Sequence, residues 1–122
     1  MTGKEFRAAP VKSPITLADL DKIDIRVGTI VTVEDVSGSD KLVRLKVDFG
    51  DHRRSILAGM KPERADLTSI EGTQSLFVVN LAPRKMMDEI SEGMLFDIGY
   101  ADDVQPVMAI PESTVPNGTR AG

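Results

Sequence analysis

Leu76-Phe-Val-Val-Asn80-Leu-Ala-Pro-Arg-Lys-Met-Met-Asp-Glu-Ile-Ser-Glu-Gly-Met94 starts as an apolar strand and runs out into a charged loop. From Gln74 to Leu81 the chain is nearly continuous in apolar residues, and short enough for a fully buried strand. Pro83 breaks that run, Arg84 and Lys85 follow at once, and Ser91-Glu-Gly-Met94 opens the next strand. A buried strand ending in a basic loop lets a small β domain offer charge to a partner without disturbing its core.

The segments before it read as strands and turns. Lys41 to Phe49 alternates cleanly: Val43, Leu45, Val47 and Phe49 face inward, which sets Arg44 and Lys46 together on the opposite face. Gly50-Asp-His52 reads as a turn and Arg53 to Ala58 as the next strand. Upstream, Ile23 to Val33 also alternates, with Ile23, Ile25, Val27, Val31 and Val33 assigned to one face. Gly28 in its middle predicts a bulge or sharp bend. Val36-Ser-Gly-Ser-Asp40 is a turn by composition. Thr16 is placed as an N-cap with Asp19 three residues on, a capping-box start for a short helix through Lys22. Pro62 to Leu67 predicts a second short helix. Gly93 to Ala101 and Val104 to Ile110 predict a final hairpin across Asp102-Asp103, and residues 1–14, with Pro10 and Pro14, a flexible arm.

These elements predict an all-β fold with about five strands, a short inter-strand helix, a short N-terminal helix and C-terminal extension strands. An OB-like barrel fits this pattern, as do an SH3-like barrel and a small sandwich.

At 122 residues the chain is expected to be one domain over residues 15–122 behind its arm. No run approaches the length of a membrane helix, and no cysteine exists for a disulfide or thiolate site, which fits a cytoplasmic protein. The net charge of −4 argues against nucleic acid until its distribution is read. Residues 41–85 carry nine basic and five acidic side chains, whereas residues 86–122 carry seven acids and only Arg120. A local basic face on an acidic body can still hold phosphates, because screening confines each charge to roughly 8–10 Å.

Catalysis is not expected. His52 is the one histidine, in a turn, and no Ser-His or Cys-His pair is easily built around it. No phosphate-cradling glycine loop occurs, and neither a cofactor nor a metal is expected. Base stacking is poorly served too, because Phe49, Phe77 and Phe96 fall at inward strand positions. An RNA partner would be held by backbone charge, shape and a few hydrogen bonds, a mode suited to folded RNA.

Asp24-Ile-Arg-Val-Gly28, Ser39-Asp-Lys-Leu42, the Asn80–Met94 stretch and Val115-Pro-Asn-Gly118 occur in the order found in the tRNA-binding domain of the EMAP-II, Trbp and methionyl-tRNA synthetase C-terminal type. The resemblance covers residues 23–122 and implies an OB-fold barrel. It also implies an RNA-facing surface made of Lys41, Asn80, Arg84, Lys85, Ser91 and Met94, beside the Arg44 and Lys46 pair read from the strand pattern. Structural alternatives stand beside these roles: Asn80 could bond backbone at a strand end, and Met94 could fill core. The chain departs from the family's pattern at Val36-Ser-Gly-Ser, where His-Pro is common, and at Asp88 and Glu89, which would oppose phosphate.

The resemblance implies a stand-alone tRNA-binding protein, a homodimer joined through the Thr16–Lys22 helix and the apolar segment from Val104 onward. The alternatives it leaves are a CsaA-type export-related chaperone for unfolded polypeptides, which Asp24–Ile30, Asp48-Phe-Gly50 and Val115–Thr119 also resemble, and a docking or dimerisation module for an aminoacyl-tRNA synthetase.

Overall fold

The computed structural model describes residues 5–122; the first four residues of the expected arm lie outside that range. The first element is a single helical turn, α1 (Leu17–Leu20), started by the expected capping box. The Thr16 hydroxyl accepts from the Asp19 N–H, and the Asp19 carboxylate accepts from the Thr16 N–H. None of its residues is buried.

Ten strands follow: β1 (Ile25–Asp35), β2 (Val43–Asp48), β3 (Arg53–Ala58), β4 (Gln74–Val78), β5 (Arg84–Met86), β6 (Glu89–Ser91), β7 (Met94–Leu95), β8 (Asp97–Ile98), β9 (Val107–Met108) and β10 (Arg120–Ala121). The main sheet runs β3-β2-β1-β4-β7, all antiparallel, with β10 added to the start of β1. It curls until β3 meets the β6–β7 turn, where the Glu92 N–H donates to the Ser55 carbonyl at 2.9 Å. The result is the expected OB-like half-barrel.

Its core is Ile30, Val43, Leu45, Val47, Phe49, Ile56, Phe77 and their neighbours. The β2 alternation read from sequence is therefore the inner wall of the barrel. Phe49 and Phe77 meet edge to face with centroids 5.6 Å apart.

β1 differs from its expected pattern. The residues turned to the core are Gly28, Ile30 and, beyond the bulge, Val33, the last as expected, whereas Val27 is buried on the other face; the C-terminal segment pairs with the edge of β1 there, the Gly118 N–H donating to the Val27 carbonyl at 2.8 Å. Ile23 precedes the strand and is half exposed. A strand buried on both faces carries no readable alternation. The bulge lies at Ile30–Thr32 rather than at Gly28, and the Glu71 carboxylate accepts the Val33 N–H beyond it at 2.8 Å. Gly28 serves close packing: a Cβ there would stand 2.5 Å from Val47 Cγ1 and 2.9 Å from Phe49 Cε1.

The expected helix over Pro62–Leu67 is replaced by two 3-10 turns, Lys61–Glu63 and Leu67–Ile70. Arg64 between them is extended, so no α-helical turn continues past Glu63. The final hairpin forms as β8 and β9, but its connection includes a 3-10 turn at Tyr100–Asp102. Val115-Pro-Asn-Gly118 latches this tail to the barrel. Asn117 Oδ1 accepts from Thr29 Oγ1 at 2.8 Å and from Gln74 Nε2 at 3.0 Å.

Candidate nucleic-acid interface

β4 ends at Val78, and Pro83 turns the chain into the separate hairpin β5–β6. Its two-residue loop is Met87-Asp88, both with positive φ (50° and 63°), as a type I′ hairpin turn demands. The tip lies near the β1–β2 connection: a Cβ on Gly38 would stand 3.5 Å from the Met87 methyl. Lys41 is exposed in that same connection. The hairpin, this connection and the outer face of β2 therefore form one surface, in the place where OB barrels receive oligonucleotides.

Arg84 and Lys85 are both exposed on the hairpin. Among the described residues Arg84 has no ion-pair partner, and Lys85 has only Asp88, at 3.9 Å with both side chains in solvent. Such a pair is too long and too screened to hold the ammonium in place.

Arg44 is different. Its Nε and Nη2 fork onto both Glu89 carboxylate oxygens at 2.7 and 2.6 Å, and Nη1 reaches Glu34 at 3.3 Å. The Glu89 contact raises the Arg44 pKa, and Arg44 holds the Glu89 carboxyl below its ordinary value. This half-buried guanidinium is spent on tying the hairpin to the barrel. Lys46 remains exposed, donating to Ser55 Oγ at 3.0 Å.

Three residues implied by the family resemblance are placed unlike simple surface contacts. The Asn80 amide takes its structural alternative: Oδ1 accepts from the Asp24 N–H at 2.9 Å, and Nδ2 donates to the Lys22 carbonyl at 2.6 Å. It clamps the α1–β1 junction to the end of β4. Ser91 is only 4% exposed. Its hydroxyl accepts from the Leu57 N–H at 3.0 Å and donates to the Gly93 carbonyl at 2.9 Å, so it closes the barrel between β3 and β6. Both bonds are internal, so the hydroxyl acts as a strut within the fold. Met94 is 46% exposed and does not fill core.

Two features were missed in the sequence. Phe96 was assigned inward but is 40% exposed, because β7 and β8 are two-residue strands at the sheet margin. Arg26, Arg54 and Arg120 all act on Asp24 at one end of the barrel, Arg26 and Arg120 as cross-strand partners 94 residues apart that no local pattern marks.

His52 has both ring nitrogens engaged. Nε2 accepts from Arg54 Nε at 3.0 Å, so Nδ1 carries the proton toward Asp51 at 2.6 Å. No group of three or more metal-ligating side chains occurs among the described residues, and no helix among them is long and apolar enough to cross a membrane.

Residues 25–120 match the family described as "Putative tRNA binding domain". The fold is similar to that of a MetRS-related protein from Pyrococcus horikoshii, with TM-score 0.83, 29% identity, and 91% of this chain and 100% of that one covered. It is also similar to chaperone CsaA of Bacillus anthracis (TM-score 0.77, 25% identity, 90% and 100% covered). The CsaA chaperone protein of Picrophilus torridus is a third such structure (0.76, 28%, 89% and 100%).

Proposed function

Because this chain belongs to the tRNA-binding domain family, we propose that it binds folded tRNA through backbone charge and shape, without catalysis. One observation carries the reading: the Arg84-Lys85 pair stands exposed on a hairpin that Arg44 and Glu89 brace against the barrel. Bracing fixes where the two cations point, and their weak pairing leaves them available to phosphate. Lys41 and Lys46 extend the same surface. Replacing Arg84 and Lys85 by Ala should weaken tRNA binding and lower the salt slope by roughly 1.4–1.8 units, with little change in stability. An unchanged slope would place the hairpin away from the RNA.

The protein acts as a homodimer in this reading, in the cytoplasm, with synthetase docking as a further use of the same fold. Leu17 is 80% exposed on α1, and Val104, Val107 and Ile110 are exposed in the C-terminal segment, apolar side chains that a second copy could cover. Two copies would pair two weak RNA sites into one footprint.

Polypeptide chaperoning is the second reading. The exposed Phe96, Ile98, Tyr100 and Val107 favour it, as does the likeness to the two CsaA structures. An apolar peptide competing with tRNA, or binding in its place, is the outcome that supports it.

A further inference from the structure

Arg26 and Arg120 are direct cross-strand partners where β10 joins β1. Arg54 reaches the same end of the barrel from β3. Its Nη1 donates to the Val79 carbonyl at 2.6 Å, and the Val79 N–H donates in turn to the Asp24 carbonyl at 2.9 Å. The Arg54 guanidinium also lies 5.9 Å from the centre of the Phe49 ring.

Like charges set directly opposite each other weaken a ladder, so this end of the fold carries a repulsion that the protein only partly offsets. Asp24 grips Arg26 through two bonds of 2.9 and 3.1 Å. Asp51, the other acid nearby, is turned to His52. The bonds Arg54 makes go to His52 and to the carbonyls of Val79 and Glu92, all neutral groups that leave its charge uncompensated. Arg120 is exposed, and among the described residues no acid is hydrogen-bonded to it. The Asp24 carboxyl is held below the usual range, first by its bond to Arg26 and further by Arg120 and Arg54, so all three cations act on one spot.

This spot adjoins the root of the hairpin. Asn80 bonds the Asp24 N–H, and Arg84 lies four residues beyond Asn80, no more than about 14 Å along even a fully extended chain. Only the short uncharged stretch Asn80 to Pro83 separates the hairpin from the arginine end along the chain, within the reach of an extended RNA backbone.

We propose that Arg120, backed by Arg26 and Arg54, forms a second contact for the RNA phosphate backbone. The inference rests on the tRNA-binding reading above. A guanidinium with its fork open suits a phosphate oxygen pair, and an incoming phosphate would relieve the Arg26–Arg120 repulsion.

The test is a titration of total tRNA into wild type, Arg120→Gln, Arg120→Lys and the Arg84→Ala, Lys85→Ala double variant, from about 50 to about 200 mM salt. Arg120→Gln is expected to lower the salt slope by roughly 0.7–0.9 and to weaken binding several-fold. Arg120→Lys should restore the slope, and Arg120→Gln, which lifts the Arg26–Arg120 repulsion, should leave Tm at or slightly above the wild-type value. If Arg120→Gln matches wild type while the double variant binds weakly, the second contact is wrong and the tRNA reading stands. If Arg120→Gln weakens binding only by lowering Tm, the role is structural and the second contact is again wrong. If wild type fails to bind at the lowest salt, the tRNA reading falls and this inference falls with it.

Discussion

Ser91→Ala separates the two roles open to that residue, RNA contact and internal strut. Removing Oγ strands the buried Leu57 N–H, which loses the acceptor it donates to, and it deprives the Gly93 carbonyl of its donor. A buried unsatisfied N–H costs about 1–3 kcal/mol, and the lost bond to Gly93 adds at most about 1 more. A net loss of about 2 kcal/mol is expected, since the turn at Gly93 can relax slightly. For a chain of 122 residues, each kcal/mol moves Tm by roughly 3–5 °C, so Tm should fall by about 6–10 °C. Circular dichroism melts give this directly. The tRNA affinity, measured well below the lowered Tm, should be close to wild type with an unchanged salt slope. An unshifted Tm together with a several-fold loss of tRNA affinity would refute the reasoning, because the hydroxyl would then face the RNA.

Gly28→Ala should destabilise by overpacking. The new methyl would meet Val47 and Phe49 inside van der Waals contact, at a cost of about 1–3 kcal/mol, read as a lower urea midpoint with unchanged m. Asp88→Asn removes the acid beside Lys85 and leaves the Arg44–Glu89 brace in place. tRNA binding should tighten modestly at low salt and return to wild type at high salt. Asp24 and Glu89 have folded pKa values depressed below 3.8 and 4.5 by Arg26 and Arg44. Their stabilisation is complete above about pH 5 and is lost as pH falls through the unfolded and then the folded values, since the unfolded chain binds protons first. Glu63, whose pKa burial raises, works in the opposite sense. Asp24→Asn combined with Glu89→Gln should flatten the acid limb of a Tm-versus-pH curve. Sedimentation at micromolar concentration should give a dimer; a species of 13.2 kDa alone would contradict the exposed apolar ends as an interface.

Local chemistry made much of the fold legible. The Thr16–Asp19 capping box, the β2 alternation and the break at Pro83 are each decided within a few residues, and each formed as expected. β1 was misread because Val27 is buried on the face opposite Ile30 and the bulge at Ile30–Thr32 shifts the alternation, so no single period of two runs through the strand. Pro62 marked a turn correctly, but propensity over six residues cannot tell one α-helical turn from two 3-10 turns. At the candidate site, the exposure of Arg84, Lys85 and Lys46 followed from the pattern. The capture of Arg44 by Glu89 did not, because the two lie 45 residues apart and meet only when the hairpin folds back. Ser91 and Asn80 illustrate a different limit: a polar residue beside a basic loop reads the same in sequence whether its side chain faces RNA or backbone.

The central claim is tested most directly by titrating total tRNA and an unstructured apolar peptide against the wild-type protein at matched ionic strength. The account predicts saturable tRNA binding at about 50 mM salt that weakens linearly in log–log form as salt rises, with little binding of the peptide. No tRNA binding at that salt, with the peptide bound and insensitive to salt, would contradict it.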